Sequence, residues 1–247
     1  MRRSGSASRG PRADRAARGD VGDRDRRATA VELPGYRQLA GAAPPRRIHG
    51  RAHDPAAVAV AVGGYSVNPA LARLLTEVPA RKRCLDVGCG HGSICFALAA
   101  HDCDVLGIDR ALPLPPGARV TISDVAPGAV ALINADVLAI DLDVGFDVVL
   151  AIGLLHSLGD RDRVACAIRR IAGWTAPGGI ALVSWLVGVT PMTPAHAAAY
   201  FPPIDDVVAQ LTRNGLTRAA RWQTEVAHTH GGPYHSHHVV YSSWRRG

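Results

Sequence analysis

Short apolar runs, separated by polar or glycine-rich segments, recur along the chain from about residue 69 onward. Runs without polar alternation are typical of strands that are buried on both faces of a parallel sheet. Between them, apolar residues recur at the spacing of one helix face. The pattern predicts strands over residues 84–87, 104–108, 130–134, 146–152 and 180–187, and helices over 69–78, 93–100, 160–174 and 205–214. Alternating strands and helices predict an α/β fold.

Three segments depart from this alternation. Prolines at 113, 115 and 116 predict an irregular or shortened element up to about residue 127. Residues 188–203 are predicted to be a loop or lid over the carboxyl edge of the sheet. Residues 217–226 and 238–244 predict a C-terminal antiparallel hairpin, with a histidine-rich loop between its strands.

The first predicted strand leads into a glycine loop, in the sequence RCLDVGCGHGSICFALAA over residues 83–100. Its glycines allow positive φ in a tight turn and let a ligand lie against bare backbone. The N–H groups at the start of the following helix then point into the crevice. The spacing is G-x-G-x-G without a following Lys-Ser or Lys-Thr, which excludes a phosphate-cradling loop of the P-loop type.

The motifs LDVGCGHG (85–92) and VLGID (105–109) resemble the first two motifs of the class I S-adenosylmethionine-dependent methyltransferases. The resemblance covers about residues 68–244. It implies a Rossmann-like, seven-stranded, mostly parallel sheet with helices on both faces and the hairpin at its end. The run GLLHSLGD (153–160) resembles the corresponding motif of the small-molecule members. The Asn/Asp-Pro-Pro-Tyr motif of many nucleic-acid and protein methyltransferases does not occur there.

The resemblance assigns a role to each part of the predicted cofactor site. The glycine loop and the acid in the first strand would hold the methionine end of the cofactor, an acid ending the second strand the ribose, and an acid after the strand at 130–134 the adenine. The predicted cofactor-binding residues are Asp86, Gly88, Cys89, Gly90, Gly92, Asp109, Arg110, Asp136, Val137 and Ile152. We predict no metal ligand.

Histidines supply the candidate catalytic groups, because their pKa suits general-base work. His156 follows the fourth predicted strand, where the active-site crevice is expected, and His228 belongs to an E-x-x-H sequence with Glu225. That sequence resembles the tellurite-resistance methyltransferase branch over a few residues. His235 and His237 share one strand face if the strand extends that far. Metal binding by the hairpin histidines and a solvated histidine-rich loop are both compatible with the pattern.

Charge and composition divide the chain into three parts. Of a net charge of +7 over 247 residues, nine Arg against four Asp in residues 1–27 supply +5. Residues 1–30 are predicted to be a disordered basic tail, since they have almost no large apolar residue. We predict an N-terminal cap segment over residues 31–67, and the resemblance implies a methyltransferase domain over residues 68–247. Because the basic excess lies in the tail, we do not expect nucleic acid as a partner.

The remaining features concern compartment and function. Five cysteines without metal-ligand spacing predict reduced thiols in a cytoplasmic protein. No apolar run is long enough to span a membrane. We predict methyl transfer from S-adenosylmethionine to an oxygen, nitrogen or sulfur atom of a small molecule, with release of S-adenosylhomocysteine. The alternatives are a tellurite- or thiol-type methyltransferase, a non-catalytic cofactor-binding partner subunit and a nucleic-acid-modifying enzyme. The oligomeric state is open.

Overall fold

A computed structural model describes residues 69–113, 119–122, 128–228 and 234–247 of the chain. The predicted basic tail and the whole of the predicted cap segment lie outside these residues, and both stay predictions. Within the described ranges, no helix is long and apolar enough to cross a membrane.

Eight strands form a single sheet in the order β3-β4-β2-β1-β5-β6-β8-β7. Strands β1, β2, β4, β5 and β6 run parallel, whereas β3, β8 and β7 pair antiparallel to their neighbours. The bounds are β1 Arg83–Val87, β2 Asp104–Ile108, β3 Arg119–Ile122, β4 Val130–Ile133, β5 Phe146–Ile152, β6 Thr175–Thr190, β7 Leu216–His228 and β8 His235–Arg246. The predicted α/β class with a C-terminal antiparallel hairpin is confirmed, and β3 extends the expected seven strands by one.

Helices cover both faces of the sheet. They are α1 Pro69–Leu75, α2 Ser93–Ala100, α3 Arg161–Trp174 and α4 Ile204–Arg213. Leu74 of α1 and Leu98 of α2 belong to one buried cluster, while Ile168 of α3 and Leu211 of α4 belong to another. Because the central strands are apolar on both sides, burying them requires a helix layer on each face.

Local signals in the sequence explain where the helices begin and end. The Asp160 carboxylate accepts the Arg163 N–H at 2.8 Å, which caps the start of α3. Gly215 follows α4 with φ of 84°, a conformation in which glycine has no Cβ penalty. The predicted helices over 160–174 and 205–214 are therefore confirmed to within a residue at each end.

The strand order places a crevice at the carboxyl ends of β1 and β5. From β1 the chain runs outward through β2 and β4, and it then returns to build β5 and β6 on the opposite side. Ligands of open α/β sheets bind at such a reversal of strand order. The glycine loop follows β1 and therefore lies at this reversal.

Two predictions about irregular segments need correction. Residues 119–122 of the proline-rich stretch form strand β3, because they pair antiparallel with β4. Strand β6 begins directly at Thr175 and continues to Thr190, so Pro177 and the two glycines after it lie within the strand. The predicted lid over 188–203 accordingly shortens to about 191–203, with a 3₁₀ turn at Pro194–His196.

Candidate cofactor and active site

The glycine loop is held against the end of β2 by backbone hydrogen bonds. The N–H groups of Gly88 and Cys89 both donate to the Ile108 carbonyl, at 2.8 and 3.1 Å. Gly88, Gly90 and Gly92 have φ values of 76°, 56° and 82°. L-residues with a Cβ rarely adopt these values, so the turn requires glycine. Gly92 precedes α2 and provides no side-chain cap to its first N–H groups.

Asp109, predicted to hold the ribose, ties the glycine loop to the end of β2. One carboxylate oxygen accepts the Gly90 N–H at 2.8 Å, and the other accepts the Ala111 N–H at 2.7 Å. A carboxylate offers about four lone-pair positions. Asp109 can therefore accept two further hydrogen bonds, as both ribose hydroxyls would require.

Asp86 lies under the glycine loop in β1 and is 1 % exposed. The Cys95 thiol of α2 donates a weak hydrogen bond to its carboxylate at 3.4 Å. Burial raises the pKa of the Asp86 carboxyl to about 7, the Cys95 hydrogen bond opposes this rise, and the Asp109 charge adds to it. Whether the Asp86 carboxyl is ionised near neutral pH therefore depends on its burial and on the neighbouring Cys95 and Asp109 side chains.

A cleft opens between the glycine loop, the ends of β2 and β4, and the segment after β5. Its lining combines two carboxylates, two arginines and an apolar wall: Gly88, Asp109, Arg110, Ala135, Asp136, Val137, Leu154, Ser157, Leu158 and Arg163. The Leu138 N–H donates to one Asp136 oxygen at 2.8 Å. Five of the predicted cofactor residues, namely Gly88, Asp109, Arg110, Asp136 and Val137, are brought together in one cleft.

The other predicted cofactor residues lie beside this cleft rather than in its lining. Cys89, Gly90 and Gly92 belong to the glycine loop, and Asp86 lies beneath it. Ile152 ends β5, pairs with Ser184 of β6 and packs in the cluster beneath α1 and α2. Ile152 is therefore not among the residues that line the cleft, and its contact with the cofactor stays a prediction.

Sequence reasoning missed Arg163 and the leucines of the cleft wall. Arg163 lies in the first turn of α3, and its buried Nε has no hydrogen-bond partner among the described residues. A buried donor without a partner is costly, and such a group in a cleft suits a ligand that accepts a hydrogen bond. The only sequence signal was the position of Arg163 three residues after the Asp160 cap.

His156 lies in a 3₁₀ turn, Leu155–Ser157, directly after β5. Its Nδ1 accepts the Leu186 N–H at 3.4 Å, and its carbonyl accepts the Tyr200 N–H at 3.0 Å. Burial, together with the neighbouring His196 ring, lowers the pKa of the His156 imidazole to about 4. The structure thus places a neutral imidazole between the crevice and the segment at 191–203.

Three other histidines meet at the same edge of the sheet, and we call His196, His235 and His237 the histidine cluster. His235 and His237 share one face of β8, as predicted for an extended strand. His196 comes from the 3₁₀ turn after β6, which the sequence pattern did not connect with the hairpin. The predicted catalytic residue His228 ends β7 with its backbone paired to His235. Its side chain lies outside the described part of the structure.

Comparison with known proteins agrees with this architecture. Residues 85–181 match the family model described as "Methyltransferase domain". The matched residues are 97 of the 247 in the chain, and over them the chain is similar to methyltransferases. The match spans β1, the glycine loop, β2, β4, β5 and the start of β6, and thus includes every residue that lines the cleft. The predicted resemblance to the S-adenosylmethionine-dependent methyltransferases is confirmed for this part of the chain.

Solved structures of methyltransferases share the fold of this chain at low sequence identity. The 1,6-didemethyltoxoflavin-N1-methyltransferase of Burkholderia thailandensis, bound to 1,6-didemethyltoxoflavin and S-adenosylhomocysteine, is 20% identical with a TM-score of 0.53, covering 78% of this chain and 79% of its own. The N-methyltransferase NodS of Bradyrhizobium japonicum WM9, in complex with S-adenosyl-L-homocysteine, is 17% identical with a TM-score of 0.50, covering 85% and 95%. No curated protein matches the sequence.

Proposed function

We propose that the protein transfers a methyl group from S-adenosylmethionine to a small-molecule acceptor and releases S-adenosylhomocysteine. The cleft beside the glycine loop carries this proposal. It offers Asp109 and Asp136 at the ends of neighbouring parallel strands. Two carboxylate acceptors suit a ligand with hydroxyl and amine donors, such as a ribose and an adenine, better than a ligand with phosphates.

The residues of the cleft fit the parts of this cofactor. Asp109 keeps acceptor capacity for the ribose hydroxyls beyond its two backbone bonds. Asp136 would accept the exocyclic amine of adenine, and the Val137 backbone would donate to a ring nitrogen. Leu158 supplies an apolar surface in the same lining. The glycine loop, with Asp86 beneath it, would hold the methionine end.

When bound, S-adenosylmethionine supplies a methyl group that is already activated on a positively charged sulfur. The protein's own contribution is then mainly to hold the acceptor in line, which can supply up to about 7–11 kcal/mol. An apolar wall that excludes water favours dispersal of the sulfonium charge as the methyl group moves. Leu154 fits this role, since a Cβ built on Gly88 would lie 2.8 Å from its Cδ1.

The acceptor would lie on the β5–β6 side of the crevice, next to His156. This placement is supported by the position of His156 directly after β5 and by the segment at 191–203 that packs over it. NodS and the toxoflavin enzyme methylate nitrogen according to their names. For this chain the acceptor atom is a nitrogen, oxygen or sulfur of a metabolite, with a tellurite- or thiol-type substrate as the second candidate.

A release assay tests the proposal directly. The purified full-length protein is incubated with S-adenosylmethionine and a panel of metabolites, thiols and tellurite, and S-adenosylhomocysteine is quantified. We expect release above the acceptor-free control with at least one acceptor class. In parallel, calorimetry measures cofactor binding. Cofactor binding without turnover on any acceptor would favour the non-catalytic subunit, and failure to bind the cofactor would refute the proposal.

Substitution of the two carboxylates tests the cofactor roles. Asp136→Asn replaces a charge-assisted hydrogen bond to the adenine amine, and we expect cofactor affinity to fall about 10- to 100-fold. Asp109→Ala and Gly90→Arg should abolish binding. Because Asp109 also holds Gly90, its variant must be checked for folding by circular dichroism. Asp143→Asn, at an exposed acid outside the cleft, is the matched control. Wild-type affinity in Asp136→Asn would refute the adenine assignment.

Alanine variants test the proposed acceptor contacts. If His156 and His228 contact the acceptor, His156→Ala and His228→Ala should lower turnover while cofactor affinity changes little. His101→Ala, at the carboxyl end of α2 and outside the cleft lining, controls for a general effect of histidine removal. Turnover equal to that of the wild type in both variants would refute the proposed acceptor contacts and leave these histidines with a packing role.

We also propose a cytoplasmic location. The described cysteines are all free thiols, and Cys84, Cys95 and Cys103 are buried. Reduced cysteines in a chain of this kind are typical of a reducing compartment. Fractionation of the source cells, followed by detection of the protein in the cytosolic fraction, tests this location.

A further inference from the structure

The histidine cluster brings three ring nitrogens to one point. The Nε2 atom of His237 lies 3.1 Å from Nε2 of His235 and 3.0 Å from Nε2 of His196. The candidate ligand atoms of all three residues lie within 4.8 Å of one another. His235 is 1 % exposed, so the cluster reaches into the protein rather than into solvent.

Hydrogen bonds between the rings account poorly for this arrangement. A single imidazole nitrogen carries either one proton or one in-plane lone pair. Nε2 of His237 has two nitrogen neighbours at hydrogen-bond distance, and it can make a well-directed bond to only one of them. By contrast, three imidazole ligands of a tetrahedral ion with bonds of about 2.0–2.1 Å would hold their nitrogens about 3.3 Å apart.

A contact with Thr193 orients the His196 ring so that its Nε2 can act as a metal ligand. Its Nδ1 lies 2.7 Å from the hydroxyl of Thr193, which is buried. If Nδ1 carries the ring proton and donates it to this oxygen, Nε2 presents its lone pair toward His237. A hydrogen bond from the second ring nitrogen is the usual means of orienting a metal-binding histidine.

We propose that His196, His235 and His237 bind one divalent transition metal ion through their Nε2 atoms. Neutral imidazoles suit ions of the zinc, copper, nickel and iron group and do not suit Mg²⁺ or Ca²⁺, which prefer oxygen ligands. Three protein ligands leave a coordination position for water or another donor, as in open metal sites rather than closed structural ones. Zn²⁺ is the first candidate.

The metal site lies at the same edge of the sheet as the cofactor cleft. His237 pairs with Val189 near the carboxyl end of β6, and three inter-strand steps separate β8 from β1. At about 4.8 Å for each step, the site is displaced about 14 Å sideways from β1, and it lies about 16 Å further along the strand direction, since Val189 follows the Ile152 partner Ser184 by five residues. If the proposed methyl transfer holds, the ion is on the acceptor side, next to His156. Metal binding itself does not depend on that activity.

Direct metal titration tests the site without the cofactor. The full-length protein is freed of metal with a chelator and titrated with Zn²⁺ by calorimetry and with Co²⁺ by visible absorption. We expect one ion per chain and the intense visible bands of four-coordinate Co²⁺. His196→Ala and His237→Ala should each abolish these bands. His238→Ala is the matched control, since His238 is adjacent on β8 but contacts Thr190 instead.

Two further variants keep the test decisive if an alanine variant folds poorly. His235→Gln retains a polar side chain at the buried position and should also lose the Co²⁺ bands. Thr193→Val removes the hydroxyl beside His196 and should weaken Zn²⁺ binding about 10- to 100-fold at unchanged stoichiometry, with recovery in Thr193→Ser. Absence of Zn²⁺ binding in the wild type, or wild-type Co²⁺ bands in the folded His196→Ala and His237→Ala variants, would overturn the proposal.

Cofactor calorimetry on the same variants separates this proposal from the proposed function. Loss of the metal with S-adenosylmethionine binding retained supports the metal site and leaves the cofactor assignment intact. A wild-type protein that binds Zn²⁺ but not S-adenosylmethionine would refute the methyltransferase proposal while the metal site stands.

Discussion

Replacing Asp86 by asparagine removes a charge from beneath the glycine loop while keeping the shape of the side chain. Asp86 lies in β1 between two other strands and is 1 % exposed, with the weakly polar Cys95 thiol at 3.4 Å. An ionised carboxylate in such surroundings loses hydration that one thiol does not replace. The ligand-free protein should therefore be more stable when this side chain is neutral.

The pKa of Asp86 gives the size and direction of the effect. In the folded protein it is about 7, against an ordinary value of 3.8, because burial disfavours the charged form. Below about pH 4 the carboxyl is protonated in both states, and the stability associated with the raised pKa is fully present. That stability is lost as the pH rises through about 7. The full difference is about 4 kcal/mol, at about 1.4 kcal/mol per pH unit.

Chemical unfolding at several pH values measures this contribution. Between pH 5 and 7.5 we expect the wild type to lose about 2.5 kcal/mol more unfolding free energy than Asp86→Asn. Asp143→Asn, at an exposed acid, should follow the wild-type profile. Parallel pH profiles for the wild type and Asp86→Asn would show that the Asp86 carboxyl does not carry a raised pKa, and the reasoning from burial would be wrong.

Two local predictions test the elements around the cleft. Asp160→Ala removes the cap on the Arg163 N–H and should lower the unfolding free energy by about 1 kcal/mol in urea denaturation, and an unchanged midpoint would contradict the cap. Gly88 has a φ of 76°, and the Cβ of Gly88→Ala would also lie 2.8 Å from the Leu154 side chain. Gly90 has a φ of 56°, and the Cβ of Gly90→Ala would meet no atom within 4 Å. Thermal unfolding should therefore show a larger loss for Gly88→Ala, by about 1–3 kcal/mol, and equal losses would count against the steric contribution.

The sequence was most informative where structure follows from local chemistry. The glycine loop after β1 was predictable because its backbone turn requires positive φ values that glycine adopts readily. The family resemblance implied that Asp109 and Asp136 hold parts of one cofactor, and both residues line the cleft. Their contacts with the cofactor stay predictions.

Long-range pairing explains the elements that the sequence pattern missed. Residues 119–122 lie among prolines, and they become a strand only because β4 offers an unpaired edge. Pro177 and Gly178 have the local character of a turn, yet they lie within β6. Arg163 resembled an ordinary residue of a helix surface, and only the packing of α3 beside Asp109 and Asp136 brings it into the cleft.

The position of His196 could not be inferred from periodicity, although that of its partners could. His235 and His237 share a face because side chains alternate along a strand. His196 reaches them because two hydrogen bonds hold the segment at 191–203 against the sheet. The Tyr200 N–H donates to the His156 carbonyl, and the Trp185 indole N–H donates to the Pro202 carbonyl. Since the first contact is to the turn that carries His156, changes in this segment should affect the proposed acceptor site and the histidine cluster together.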